Sequence, residues 1–173
     1  MSCAITAGYV IDCNKDSLGG LSKVRIAAKK DIVSIAETAG VISAVVMQTG
    51  TQFYDFALVK STSSFSNAIT SNPTNGSMFY AQSATLIFNK LKSATSALVD
   101  SLCRASLVLI VEDRNGEIIM LGRENGMDVS GGTIGSGTAG GDRSGYELQL
   151  TGEESKTSHV DPTIMAALLL PAS

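Results

Sequence analysis

The sequence has no tryptophan, only three prolines, three cysteines and a single histidine in 173 residues. Each scarcity excludes something. Aromatic residues make up 5% of the chain, too few for a platform on which nucleic-acid bases stack. Charge is low at 17%, the formal net charge is −3 and the pI is near 5.1. The densest basic cluster is Lys29-Lys30, followed at once by Asp31. A sequence-independent nucleic-acid binder needs a basic footprint, and none is present. Cys3, Cys13 and Cys103 are odd in number and form no CxxC. They are expected as reduced thiols, without a disulfide framework. Met1-Ser-Cys-Ala-Ile has neither the basic start nor the apolar run of a secretory signal. The apolar stretch Ile164 to Leu170 is too short to cross a bilayer. These readings predict a soluble, unexported chain.

Catalytic signatures are missing as well. Gly135-Ser-Gly137-Thr-Ala-Gly140 matches GxGxxG. A dinucleotide site needs a strand before that pattern and a helix after it, whereas a strand-like segment follows here. No GxxxxGK[ST] is present. His159, the sole candidate base for a triad, lies in the polar segment Lys156 to Asp161 and reads as a surface residue. One His and three dispersed Cys give no zinc spacing. The run Asp12 to Asp16 lacks the glycine and glutamate of a calcium loop. Glu112/Asp113 and Glu153/Glu154 are strand neighbours that point to opposite faces, so they read as solvated strand ends rather than acid–base pairs. Asn75-Gly76-Ser77 matches the glycosylation acceptor pattern, but no export signal makes it relevant. The chain is expected to be no enzyme, with no cofactor and no metal.

What is present is apolar material in β-like patterns. Hydrophobic residues make up 44% and the mean hydropathy is +0.21, which argues against disorder. Low charge with that content suits a surface partly covered by other subunits. Ser and Thr supply roughly a fifth of the residues. Residues 22–28, 41–47 and 52–61 read as strands. A polar stretch from Ser61 to Ser77 follows, with Asn75-Gly76 as a turn signal. Met78 to Phe88 alternates again, so 52–88 reads as one long hairpin with a long tip. Residues 93–104 read as a helix, with Ser93 as N-cap and Leu91, Ala94, Leu98 and Leu102 as its apolar stripe. Leu107-Val-Leu-Ile-Val111 suits a strand covered on both faces. Asp113-Arg-Asn-Gly116 predicts a type I′ hairpin turn. Glu117 to Gly122 is the return strand, Gly126 to Gly145 a glycine-rich loop, and Tyr146 to Thr151 the last strand. Residues 162–170 read as a short helix or an extended arm.

The fold class expected is α+β and mainly antiparallel β: a β-sandwich or barrel with one packed helix (about 93–104) and a long β-hairpin (about 52–88). A single domain over 1–173 is expected, with a core at about 22–154, an N-terminal arm 1–21 and a C-terminal arm 155–173.

The chain resembles bacteriophage major tail tube proteins. The resemblance rests on the long hairpin at 52–88, the helix at 93–104 after it, and two blocks. These are Leu107 to Gly122 and Gly145-Tyr-Glu-Leu-Gln-Leu-Thr-Gly-Glu-Glu154. It covers most of residues 22–154. It implies a structural virion protein that self-assembles into rings, commonly of six subunits, stacked into a hollow tube. DNA passes through the lumen without specific binding. The partners implied are further copies of the chain and other tail or neck proteins, with no membrane. The location implied is the virion tail, after assembly in the host cytoplasm. Other readings stay open: a tail terminator, neck or capsid decoration protein, the tube of a contractile injection system with protein cargo, or a small ligand-binding barrel. Candidate subunit contacts are Phe53 and Phe56, then Ser63, Phe65 and Ile69 in the Ser/Thr-rich stretch, then Met165 and Leu168 in the C-terminal arm. Deleting 162–173 is expected to block tube growth and leave the fold intact.

Overall fold

The computed structural model describes residues 7–9, 18–59 and 62–171. Most of the N-terminal arm lies outside the described residues, as do Cys3, Cys13 and the Asp12 to Asp16 run. Eleven strands form two sheets. One sheet has seven strands. Its members in chain order are β1 (Leu21–Ala28), β2 (Ile32–Thr38), β3 (Val41–Met47), β4 (Tyr54–Phe56), β7 (Leu107–Asp113), β8 (Ile118–Leu121) and β11 (Ser158–Val160). Their spatial order is β2-β3-β11-β8-β7-β1-β4. The other sheet has the order β5-β6-β10-β9, from β5 (Ser64–Asn72), β6 (Ser77–Asn89), β9 (Asp128–Gly135) and β10 (Gly145–Glu154). All pairings are antiparallel except β11 with β3. The chain is thus α+β and mainly β, as its alternating patterns predict.

β7 explains the layering. Its Leu107, Leu109 and Val111 point into one core and its Val108 and Ile110 into another. Alternate residues of a strand face opposite sides, so a strand buried on both faces must be apolar throughout. The first core lies between the two sheets. There β1 and β7 meet Ala84 and Leu86 of β6 and Tyr146, Leu148 and Leu150 of β10. The second core lies on the far face of the seven-stranded sheet, around Ile42, Phe53, Val108, Ile110 and Met120. A short helix, α2 (Met165–Leu168), closes it with Met165 and Leu168. The Phe53 N–H donates to the Leu168 carbonyl at 2.9 Å. The C-terminal segment therefore belongs to the domain. Removing 162–173 would strip two side chains from this core, which corrects the expectation that the fold survives that deletion.

The helix α1 (Ser93–Arg104) has the expected bounds, but its buried residues are Val99 and Leu102, while Leu91 and Leu98 are exposed. The N-cap position falls on Lys92, with no side-chain cap. The helix start is held instead by the buried Tyr146 of β10. The Tyr146 hydroxyl accepts from the Lys92 N–H at 3.3 Å and lies 2.6 Å from Ser96 Oγ. That tertiary anchor replaces the missing cap.

Four further expectations are corrected. The long hairpin is β5–β6, with register from Ser64↔Thr85 to Asn72↔Ser77. Its first arm is the Ser/Thr stretch taken as a loop, while 52–61 contributes only the short β4, paired with β1. Burial and register decide this: Phe65 and Asn67 are partly buried and alternate with the exposed Ser64, Ser66 and Ala68, as in a strand covered on one face. The glycine-rich segment contains β9, which pairs along β10 from Tyr146↔Ile134 to Thr151↔Asp128. The turn after β7 is not type I′. Only Gly116 has positive φ (89°), and the Gly116 N–H donates to Asp113 O, which fits a type I turn followed by a glycine bulge. Positive φ at both central residues occurs instead at Ala39-Gly40 (53° and 85°), between β2 and β3. Finally, β2 and β11 join the sheet where no strand was expected.

Candidate functional site

No side-chain constellation dominates among the described residues. Among the described residues no group of three or more His, Cys, Asp and Glu is arranged to hold a metal. No helix there is long and apolar enough to cross a membrane. The GxGxxG segment follows β9 and leads into β10, with no helix after it. His159 sits on β11, half-exposed, with Nδ1 3.5 Å from Glu117 Oε2.

The titratable groups with displaced pKa values serve local structure. The Glu37 carboxyl is held below its usual range, first by the Lys156 ammonium and then by Arg123. Burial opposes the shift of Asp113. Hydrogen bonds from the Asn115 side chain and from the N–H groups of Glu117, Asn115 and Gly116 outweigh it and lower the value. Asp142 is lowered by the N–H groups of Ala139 and Thr138. Asp161 is lowered by the N–H and hydroxyl of Thr163. Glu154 corrects another expectation. It is buried rather than solvated, and its carboxylate accepts from the Glu124 and Asn125 N–H groups at 2.9 Å. Such bonds tie a strand end to a loop.

The unusual feature is the four-stranded sheet. Its inner face lies on the first core. Its outer face carries Ser64, Ser66, Ser83, Thr85, Gln149 and Thr151, with Glu147 and Glu153 and the apolar Phe79, Ala81 and Ile87, by alternation from the paired registers. Arg143 is bound to Glu147 at 2.6 Å. The sheet also ends on two strands, β5 and β9, that pair no further strand among the described residues. β5 is uncharged, and the whole span from Ser61 to Asn89 has no Asp, Glu, Lys, Arg or His. β9 has no charge after Asp128 and no proline. Natural edges are usually blunted by lysine, proline or shortness, and these two are not. The glycines of β9 also permit close approach: a Cβ at Gly132 would lie 2.5 Å from Glu147 O.

The expected contact residues divide. Phe53, Met165 and Leu168 are buried in the second core. Ser63 is buried too, and its Oγ accepts from the Ile87 N–H at 3.3 Å. These four side chains are spent inside the chain and have no surface for another copy. Phe56 and Phe65 pack partly buried against the first core, Phe56 with its ring 5.8 Å from that of Phe88. Ile69 alone is open, at 65% exposure, beside Met78 at 56% on the same hairpin face. The β9 edge was missed because glycine-rich composition reads as loop. The one signal for it was Val129 to Ile134 lying opposite an alternating strand. Compared with family models, curated proteins and solved structures, the chain matches none.

Proposed function

We propose that this chain is a structural virion protein whose copies join through the edges of the four-stranded sheet into rings, stacked as a hollow tube of the bacteriophage tail type. One observation carries the reading: both edges of that sheet are open, nearly uncharged and antiparallel to one another. Directions alternate through β5-β6-β10-β9, so β9 of one copy meets β5 of the next in antiparallel sense. A head-to-tail joint of this kind is heterologous and closes into a ring when its rotation permits. Closure pairs both edges of the four-stranded sheet. The resemblance to tail tube proteins implies six copies per ring.

In such a ring the outer face of the sheet lines the lumen. Its hydroxyls, amides and carboxylates give phosphates no cation to bind, since Arg143 is already held by Glu147. Duplex DNA would pass without the counterion release that drives binding. The seven-stranded sheet would form the outer wall.

The test is negative-stain electron microscopy of the purified protein with light scattering for mass. Hollow tubes or stacked rings are expected. Single closed rings would favour a terminator or neck component, and a monomer that stays monomeric on concentration would overturn the proposal. A β5 variant, Ser66→Lys with Ala68→Lys, should stay folded and lose ring formation, because charge on an edge strand blocks added pairing.

A further inference from the structure

Asparagine is one of the chemically labile side chains. It is most open to attack when glycine follows, because glycine has no Cβ to shield its backbone nitrogen. The chain has three such pairs, Asn75-Gly76, Asn115-Gly116 and Asn125-Gly126. All three glycines have positive φ, at 70°, 89° and 83°. Sequence treats the three pairs alike, and their surroundings separate them.

The Asn115 amide donates to Leu18 O at 3.2 Å and to Asp113 Oδ2 at 2.8 Å, and its Oδ1 accepts from the Leu18 N–H at 2.8 Å. The Gly116 N–H is itself bonded to Asp113 O. The Asn125 amide donates to Glu153 O at 2.7 Å. Gly126 is buried, and a Cβ there would collide with Ser106 Oγ. The Met127 N–H beside it is bonded to Leu107 O at 2.7 Å, so this backbone has no room to turn. Asn75 stands at the tip of the β5–β6 hairpin. Asn75 and Gly76 are both exposed, and a Cβ at Gly76 would meet nothing within 4 Å. Among the described residues neither the Asn75 amide nitrogen nor the Gly76 N–H has an acceptor. The Asn75 Oδ1, in contrast, accepts from the Ser77 N–H at 3.2 Å and from the Ser77 hydroxyl at 2.7 Å.

We infer that Asn75 is a site of spontaneous deamidation, with solvent water as the co-reactant. The Gly76 nitrogen bonds to Asn75 Cγ and gives up its proton. The Cγ–Nδ2 bond breaks, and the NH2 group leaves with that proton as ammonia. A succinimide ring remains. The two Ser77 donors face the oxygen on which negative charge develops during the attack, and nothing restrains the departing nitrogen. Water then opens the ring. Breaking the bond from Cγ to nitrogen leaves aspartate. Breaking the bond from the main-chain carbonyl to nitrogen leaves isoaspartate, whose backbone runs through the former side chain and is one carbon longer. Either product puts a negative charge into the span from Ser61 to Asn89, which otherwise has none. Isoaspartate also lengthens the turn between the paired Asn72 and Ser77.

The test incubates the full chain in mildly alkaline buffer, folded and in urea. Protease digestion and mass spectrometry follow each pair, and chromatography separates isoaspartate from aspartate. In the folded chain Asn75 should convert about tenfold faster than Asn115 or Asn125, or more, since closing the ring at those two breaks hydrogen bonds that Asn75 does not make. In urea the three rates should converge, because the folded restraints are gone. Both products should form at Asn75. Ser77→Ala removes the hydroxyl donor, keeps the N–H, and should slow Asn75 by about threefold. Equal rates in the folded chain, the same ranking in urea, or aspartate without isoaspartate would overturn the assignment. An unchanged or faster rate in Ser77→Ala would overturn the part given to Ser77.

Discussion

The two sheets are built to opposite specifications. The seven-stranded sheet is apolar on both faces at its centre, with β7 lying between two cores. The four-stranded sheet buries one face, exposes a polar one and leaves two long edges unpaired. The first holds the molecule together. The second resembles an unfinished barrel, stable enough to fold and open where another copy can add. In the assembly proposed above, packing and assembly fall to different strands, and substitutions should separate them.

The largest separation should come from β7. Leu109→Ala and Ile110→Ala each open a cavity in one of the two cores and should cost about 3 kcal/mol. Gln149→Ala, on the outer face of β10, should stay within about 0.5 kcal/mol. Urea melts of the three variants check this, and equal losses would break the contrast. A middle-sized effect should come from Gln82, which joins the sheets. It is buried on β6 and its Oε1 accepts from the Gly122 N–H at 2.8 Å. Gly122 has positive φ, and a Cβ there would lie 2.8 Å from Leu107 O, so the backbone cannot easily shift to a new acceptor. Gln82→Leu should cost about 2 kcal/mol by orphaning that N–H. A neutral result would mean that the sheets are joined by apolar contact alone.

The smallest effect is in acid. Asp113 has its folded pKa lowered below the unfolded value. Its contribution is therefore present above about pH 4, the ordinary aspartate value, and is lost as pH falls through the lower folded value. Asp113→Asn should flatten that part of the stability profile by about 1 kcal/mol or less. An unchanged slope below pH 4 would argue that the β7–β8 turn does not depend on this carboxylate.

Much of the seven-stranded sheet is legible in sequence because double burial leaves an unbroken apolar run, as at Leu107 to Val111. β10 is legible because half-burial alternates, as at Tyr146 to Thr151. The open edges are not. Ser64 to Asn72 and Asp128 to Gly135 gain little from burial, so their composition resembles that of loops, and only backbone pairing to β6 and β10 makes them strands. The helix shows the same limit. Its bounds follow from the pattern, but burying Val99 rather than Leu98 depends on where β9 and Tyr146 lie.

The sequence by itself determined the class of fold, the low charge and the absence of catalytic motifs, because those depend on residue type and local period. Tertiary structure decided the rest: that Met165 and Leu168 close a core, that Glu154 is buried, and that β5 and β9 stand open at opposite edges of one sheet. These are facts of pairing between distant segments, and hydrogen bonds between backbones carry no trace in side-chain composition.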